Sequence, residues 1–230
     1  MKIALSLLLI VAALFTAAVF LRPSGEPHPV QGLPWQVEPL NDGSVRVFGL
    51  TLGRDTLGEA RDTLGTDMEL AVVVNGEETG SLEMFYPRFN AGVLSGKLVL
   101  AGSLDDATLL QLRERSGAPR YMDSGARKYH LQTDDLPLGY RAPLQSVTFI
   151  PAASIDEDIA LKRFGPAEET LRINDETLHL LYPRFGLDLM INRQHRDVLQ
   201  YVAPRDFDRL RAPLLEQQAP PATQAPLQVQ

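Results

Sequence analysis

Four consecutive residues suited to recognition chemistry occur twice. Tyr86-Pro87-Arg88-Phe89 returns letter for letter as Tyr182-Pro183-Arg184-Phe185. Tyrosine and arginine are enriched among the residues that dominate protein–protein binding, since a flat aromatic body and a forked cation bury area and bond together. Two copies would make a paired platform, with Tyr86, Arg88, Phe89, Tyr182, Arg184 and Phe185 as its candidate surface. The same letters also have a structural use. Proline has no N–H to give a ladder and marks a strand end or edge. Tyrosine and phenylalanine would then pack on opposite faces, with arginine outward. Both uses can hold at once.

Catalytic spacings are absent. The four histidines are His28, His130, His179 and His195, and none forms H-x-x-x-H or H-E-x-x-H. Asp188, His195 and Asp197 could meet across a hairpin, although a solvated loop is the simpler account. No G-x-S-x-G elbow, P-loop or G-x-G-x-x-G occurs. Zero cysteines removes disulfides, thiolate metal sites and cysteine nucleophiles. Asp123-Ser124-Gly125 reads as a loop. The acidic run Asp156-Glu157-Asp158 reads as dipole compensation in a helix's first turn. No cofactor or metal is expected. A serine, histidine and aspartate gathered from distant positions stays open, because triads are spatial.

The elements that would position these residues repeat as well. Trp35–Glu38 and Ser44–Leu52 read as strands around the turn Asn41-Asp42-Gly43. Thr56-x-x-Glu59 is a capping box opening a helix over Leu57–Leu64, which Gly65 ends. Strands over Met68–Val74, Ser81–Tyr86 and Val93–Ala101 follow, with Asn75-Gly76 as a turn. The second unit starts with a strand over Ser146–Pro151. A capping box at Ser154-x-x-Glu157 opens a helix over Ile155–Phe164, and Gly165-Pro166 stops it. Strands over Glu169–Asn174, Thr177–Tyr182, Leu187–Asn192 and Val198–Ala203 complete it. The joining segment carries a helix over Leu104–Ser116, capped by Ser103, and a strand over Lys128–Thr133. Shared order plus a verbatim tetrapeptide reads as an internal duplication.

The flanks set the location. Ile3–Leu21 has no charge and only Ser6 and Thr16 as polar residues. About 20 apolar residues cross a bilayer core. A transmembrane anchor over residues 1–21 is expected, with the N-terminus cytoplasmic and the body exported, since Lys2 leads. The alternative is a signal peptide cleaved near Ala18, leaving a periplasmic or secreted protein. Residues 22–33 read as a Pro/Gly spacer, and residues 212–230 as a disordered Pro/Gln tail. The net charge of −7 disfavours nucleic acid, whose phosphates need a basic face.

The capped helix ending in Phe164-Gly165-Pro166, the strand reaching Leu181-Tyr182, the Gly186-Leu187 strand and the last strand Val198–Ala203 resemble the SmpA/OmlA/BamE kind of envelope domain. Their doubling resembles the tandem fold of the beta-lactamase inhibitor proteins. Leu64-Gly65 and Phe85-Tyr86 carry the likeness in the first unit. The resemblance spans roughly half the chain and implies non-enzymatic domains that bind proteins or stabilise assemblies. The chain departs from the BamE kind in having no cysteine for lipidation.

The expectation is an α+β protein of two tandem helix-plus-antiparallel-sheet units, 34–102 and 146–211, joined by 103–145. It would act as a membrane-anchored protein-binding or scaffold module in a bacterial envelope. The alternatives are an envelope hydrolase with a spatially assembled Ser/His/Asp site, or a lipid or small-ligand carrier.

Overall fold

Alternating apolar residues and two short capped helices give a sheet with one face fully covered. The computed structural model describes residues 32–76 and 78–218. The expected anchor or signal sequence, most of the expected spacer and residues 219–230 lie outside the described residues. Among the described residues no helix is long and apolar enough to cross a membrane.

Three short strands, β1 (Glu38–Pro39), β2 (Val45–Val47) and β3 (Leu50–Leu52), form a small antiparallel sheet. The single strand expected over Ser44–Leu52 is folded back at Phe48-Gly49, both at positive φ. Helix α1 (Leu57–Leu64) follows. Thr56 accepts from the Glu59 N–H at 3.2 Å and Glu59 accepts from the Thr56 N–H at 2.7 Å, so the capping box is formed.

A ten-stranded antiparallel sheet holds everything else. Its strands are β4 (Glu69–Val74), β5 (Ser81–Ala91), β6 (Leu94–Gly102), β7 (Arg120–Tyr121), β8 (Arg127–His130), β9 (Leu144–Pro151), β10 (Glu169–Arg172), β11 (Thr177–Tyr182), β12 (Leu187–Asn192) and β13 (Val198–Val202). Their order is β10-β11-β12-β13-β9-β6-β5-β4-β8-β7. The two expected units therefore share one sheet, joined where β6 and β13 flank β9. The joining segment extends the same sheet through β8 and β7.

Four more helices complete the fold: α2 (Asp106–Arg115), α3 (Leu136–Tyr140), α4 (Glu157–Phe164) and α5 (Asp208–Gln218). Two caps differ from expectation. Asp105, not Ser103, accepts from the Thr108 N–H and caps α2. Asp156, not Ser154, accepts from the Ile159 N–H and caps α4. In each case an acceptor stands closer to the first helical turn, and a carboxylate also complements the dipole.

Register shows how the sheet is filled. Tyr86, Leu98, Phe149, Leu199, Leu189 and Leu180 form one cross-strand row, all buried. Met84, Leu100, Val147, Tyr201, Leu187 and Tyr182 form the next, also buried. Side chains alternate between faces, so both rows lie on one face. The main core gathers them with residues of the small sheet, α1, α2 and α4. At roughly 25 cal/mol per Å² of apolar surface, such rows dominate folding stability.

The opposite face is covered at one end only. Leu171, Leu181 and Val202 pack there against Phe207, Leu210 and Leu214. The tail expected to be disordered from Ala212 is thus helical through Gln218, with Pro213 inside the helix. Phe207, Leu210 and Leu214 recur at helical spacing, and the sheet's second face gives them something to bury against.

Candidate partner-binding groove

The two tetrapeptides share one structural task. The Tyr86 hydroxyl donates to the Gly65 carbonyl at 3.1 Å, and the Tyr182 hydroxyl donates to the Gly165 carbonyl at 3.3 Å. Gly65 and Gly165 are the C-terminal caps of α1 and α4. Each tyrosine ties its strand to the end of its own unit's helix. Both tyrosines are buried in the core, which corrects their placement on a partner surface. Burial pushes the Tyr86 hydroxyl up to about 12 and raises that of Tyr182.

Tyrosine and phenylalanine lie on the same side, not on opposite faces. The ring centroids are 6.4 Å apart for Tyr86 and Phe89, and 6.3 Å apart for Tyr182 and Phe185. Phe89 joins a cluster with Phe48 and Phe149 at 5.4 and 6.0 Å. The backbone routes differ. In the first copy the strand continues, and the register slips between Tyr86 and Phe89. Pro87 and Arg88 together stand opposite Lys97, a bulge of one extra residue. In the second copy Pro183–Phe185 is a 3-10 turn closed by Gly186 at φ 61°. A Cβ on Gly186 would lie 2.0 Å from the Val202 carbonyl oxygen. Asn90 holds the equivalent place in the first copy, and the strand runs on to Ala91.

The arginines diverge with the backbone. Arg184 donates to the Phe164 carbonyl at 3.2 Å, pairs with Glu168 at 3.5 Å and stacks on Phe185. Arg88 is 84% exposed, and its ion pair with Asp67 is 3.3 Å between two solvated side chains. Such pairs contribute roughly 0–1 kcal/mol, so Arg88 is available.

Arg88 stands on one wall of an open groove of about 1070 Å³. The β5–β6 hairpin supplies Arg88, Asn90, Ser95 and Lys97; the β12–β13 loop supplies Gln194, His195 and Arg196. Ile150 and Val198 form the floor. Their neighbours Phe149 and Leu199 point into the core, so the floor lies on the sheet's open face. Gly96, on the core side of β6, lets β6 and β9 approach closely. A Cβ there would lie 2.4 Å from the Ile150 carbonyl oxygen and 2.6 Å from the Phe149 ring. Asp197 braces the far wall, accepting from the Ile155 N–H at 2.7 Å and the Asn192 N–H at 2.9 Å. Arg196 donates to the Ala152 carbonyl.

No protein-family model, curated protein or solved structure matches the chain.

The candidate metal or catalytic residues are dispersed among other partners. Asp188 bonds His179 Nδ1 at 2.9 Å, Asp197 braces backbone, and His195 lines the groove. His130 is exposed on β8, and His28 lies outside the described residues. Among the described residues no three His, Asp or Glu side chains cluster to hold a metal. No serine hydroxyl hydrogen-bonds to His179 among them. Lys97, Arg196 and Ile150 were missed from sequence. Gly96 inside β6 was the available signal, since interior strand glycines mark close backbone approach.

Proposed function

We propose that this chain is a non-catalytic, membrane-anchored envelope protein that works as a protein-binding or scaffold module. Its two helix-and-strand units, related by an internal duplication, have diverged. The second tetrapeptide locks its arginine into the fold, and the first displays it. One observation carries the reading: the carboxylate-free groove beside Arg88, which the fold leaves open on the sheet's second face. The uncharged run Ile3–Leu21 supports the anchor, and the absence of catalytic spacings supports binding over chemistry. The hydrolase alternative has less behind it, because His179 meets a carboxylate without a serine. The carrier alternative needs an apolar cavity between sheet and helices, where packed side chains stand instead.

In-cell photo-cross-linking tests it. Probes at Asn90 and Gln194, on opposite walls, should capture the same envelope protein, while probes at Arg184 and Glu216 should not. Capture of no common protein from the two walls would sink the proposal.

A further inference from the structure

The groove has a chemical bias that the rest of the molecule lacks. The whole chain carries 29 acidic against 22 basic residues, yet no aspartate or glutamate lines the groove. Arg88, Lys97 and Arg196 line it, with His195 beside them. The bulge deepens the bias. It places Pro87 and Arg88 together opposite Lys97, so two like charges share one edge of the groove. Like charges placed directly across strands destabilise a sheet. Lys97 is exposed and makes no ion pair with any described residue. Among the described residues Arg88 alone of these three cations pairs with a carboxylate, that of Asp67, which is 73% exposed.

The floor gives the second half of the pattern. Ile150 and Val198 present apolar surface between the charged walls, and Pro87 adds an apolar shoulder. A strip of this kind takes alternate side chains of an extended chain, apolar down and acidic outward. Asn90 and Ser95 have side chains with no partner among the described residues, and they offer hydrogen bonds to a backbone.

On the footing that the groove is the partner site, we infer that its occupant is an extended, acidic peptide segment of another protein. Its carboxylates meet Arg88, Lys97 and Arg196, and its apolar side chains rest on Ile150 and Val198. A duplex nucleic acid is a poorer match, because the acidic remainder of the surface repels a phosphate backbone. An anionic bilayer is poorer as well, since the contact lies in a concavity between two hairpins and the body around it is acidic.

The experiment uses the full-length chain in a neutral detergent. A random dodecapeptide pool is selected on it, and the enriched peptides are measured by fluorescence anisotropy. The expected winners carry two or more aspartates or glutamates spaced with apolar residues. Their glutamine and asparagine isosteres should bind at least tenfold more weakly. The R88E/K97E variant should lose at least tenfold with an unchanged melting temperature, both positions being exposed. Raising salt from about 50 to about 500 mM should weaken binding, as charge screening requires. Enrichment of neutral or basic peptides overturns the inference. So does equal binding by R88E/K97E, or groove-dependent binding to phosphatidylglycerol vesicles without peptide binding. If the wall probes still capture a common partner after such a result, the groove remains a partner site and only the acidic occupant falls. If they capture none, both fall.

Discussion

The hydroxyl of Tyr86 donates to the carbonyl of Gly65, the residue that ends the helix of its own unit, across 21 positions of sequence. Tyr182 does the same with Gly165. The repeated tetrapeptide is therefore first an anchor between strand and helix end. Its proline and arginine are left to vary in use.

Replacing Tyr86 by phenylalanine should cost about 1 kcal/mol at pH 8, the usual net worth of one hydrogen bond. Urea unfolding measures it. The pH dependence has a definite sign. Burial holds the hydroxyl up to about 12 against an ordinary 10, so the folded state binds this proton more tightly. Its contribution is full below pH 10 and is lost as pH rises through 12. The deficit of Tyr86→Phe should narrow between pH 10 and 12. A deficit that grows there would contradict the assignment.

Asp197→Ala removes the acceptor of two backbone N–H groups, those of buried Ile155 and of Asn192. Hydrogen bonds to a charged group run to about 1.5–3 kcal/mol, and unpaired buried donors add to the loss. A destabilisation of about 3 kcal/mol is expected, with faster amide exchange at both positions. Asp197→Asn should lose less. Unaltered exchange at Ile155 would show that Asp197 does not brace this wall.

Gly186→Ala combines a left-handed backbone with a methyl 2.0 Å from the Val202 carbonyl oxygen. Gly117 is also at positive φ but has nothing within 4 Å of a added Cβ. The Gly117→Ala variant should lose about 1–2 kcal/mol, the cost of the left-handed region alone. Gly186→Ala should lose clearly more, or fail to fold. Equal unfolding midpoints would refute the close approach.

Leu214→Ala tests the C-terminal helix. Leu214 is buried against the sheet's second face and Leu215 is partly exposed. Truncating a buried leucine costs roughly 2–5 kcal/mol. Leu214→Ala should therefore destabilise by about 2 kcal/mol and speed exchange in β10 and β11, while Leu215→Ala stays within about 0.5 kcal/mol. Indistinguishable variants would mean that the helix does not cover this face.

Local chemistry was legible where it acts over a few residues. Thr56 with Glu59 set the start of α1, and Gly65 and Gly165 set the ends of both short helices. Apolar alternation placed β11 and β12 to the residue. The bulge was not legible, because it depends on Pro87 and Arg88 finding a single residue, Lys97, across the ladder. The helix over Asp208–Gln218 was missed because Pro213 and the glutamines outweigh it locally. Its stability comes from Leu171, Leu181 and Val202, which lie distant in sequence.

Residue order alone settled the capping box of α1, the glycine ends of α1 and α4, most strands and the repetition of the tetrapeptide, since these follow from propensity, patterning and capping within a short window. It also determined the difference between Gly186 and Asn90, which lets one copy turn and the other run on. Tertiary packing alone joined ten strands of both units and the joining segment into one sheet, tied Arg184 down while displaying Arg88, and brought the basic walls together over an apolar floor. Pairing register and face are long-range properties. They are fixed by which strands bury against which, and no window of neighbouring residues contains that information.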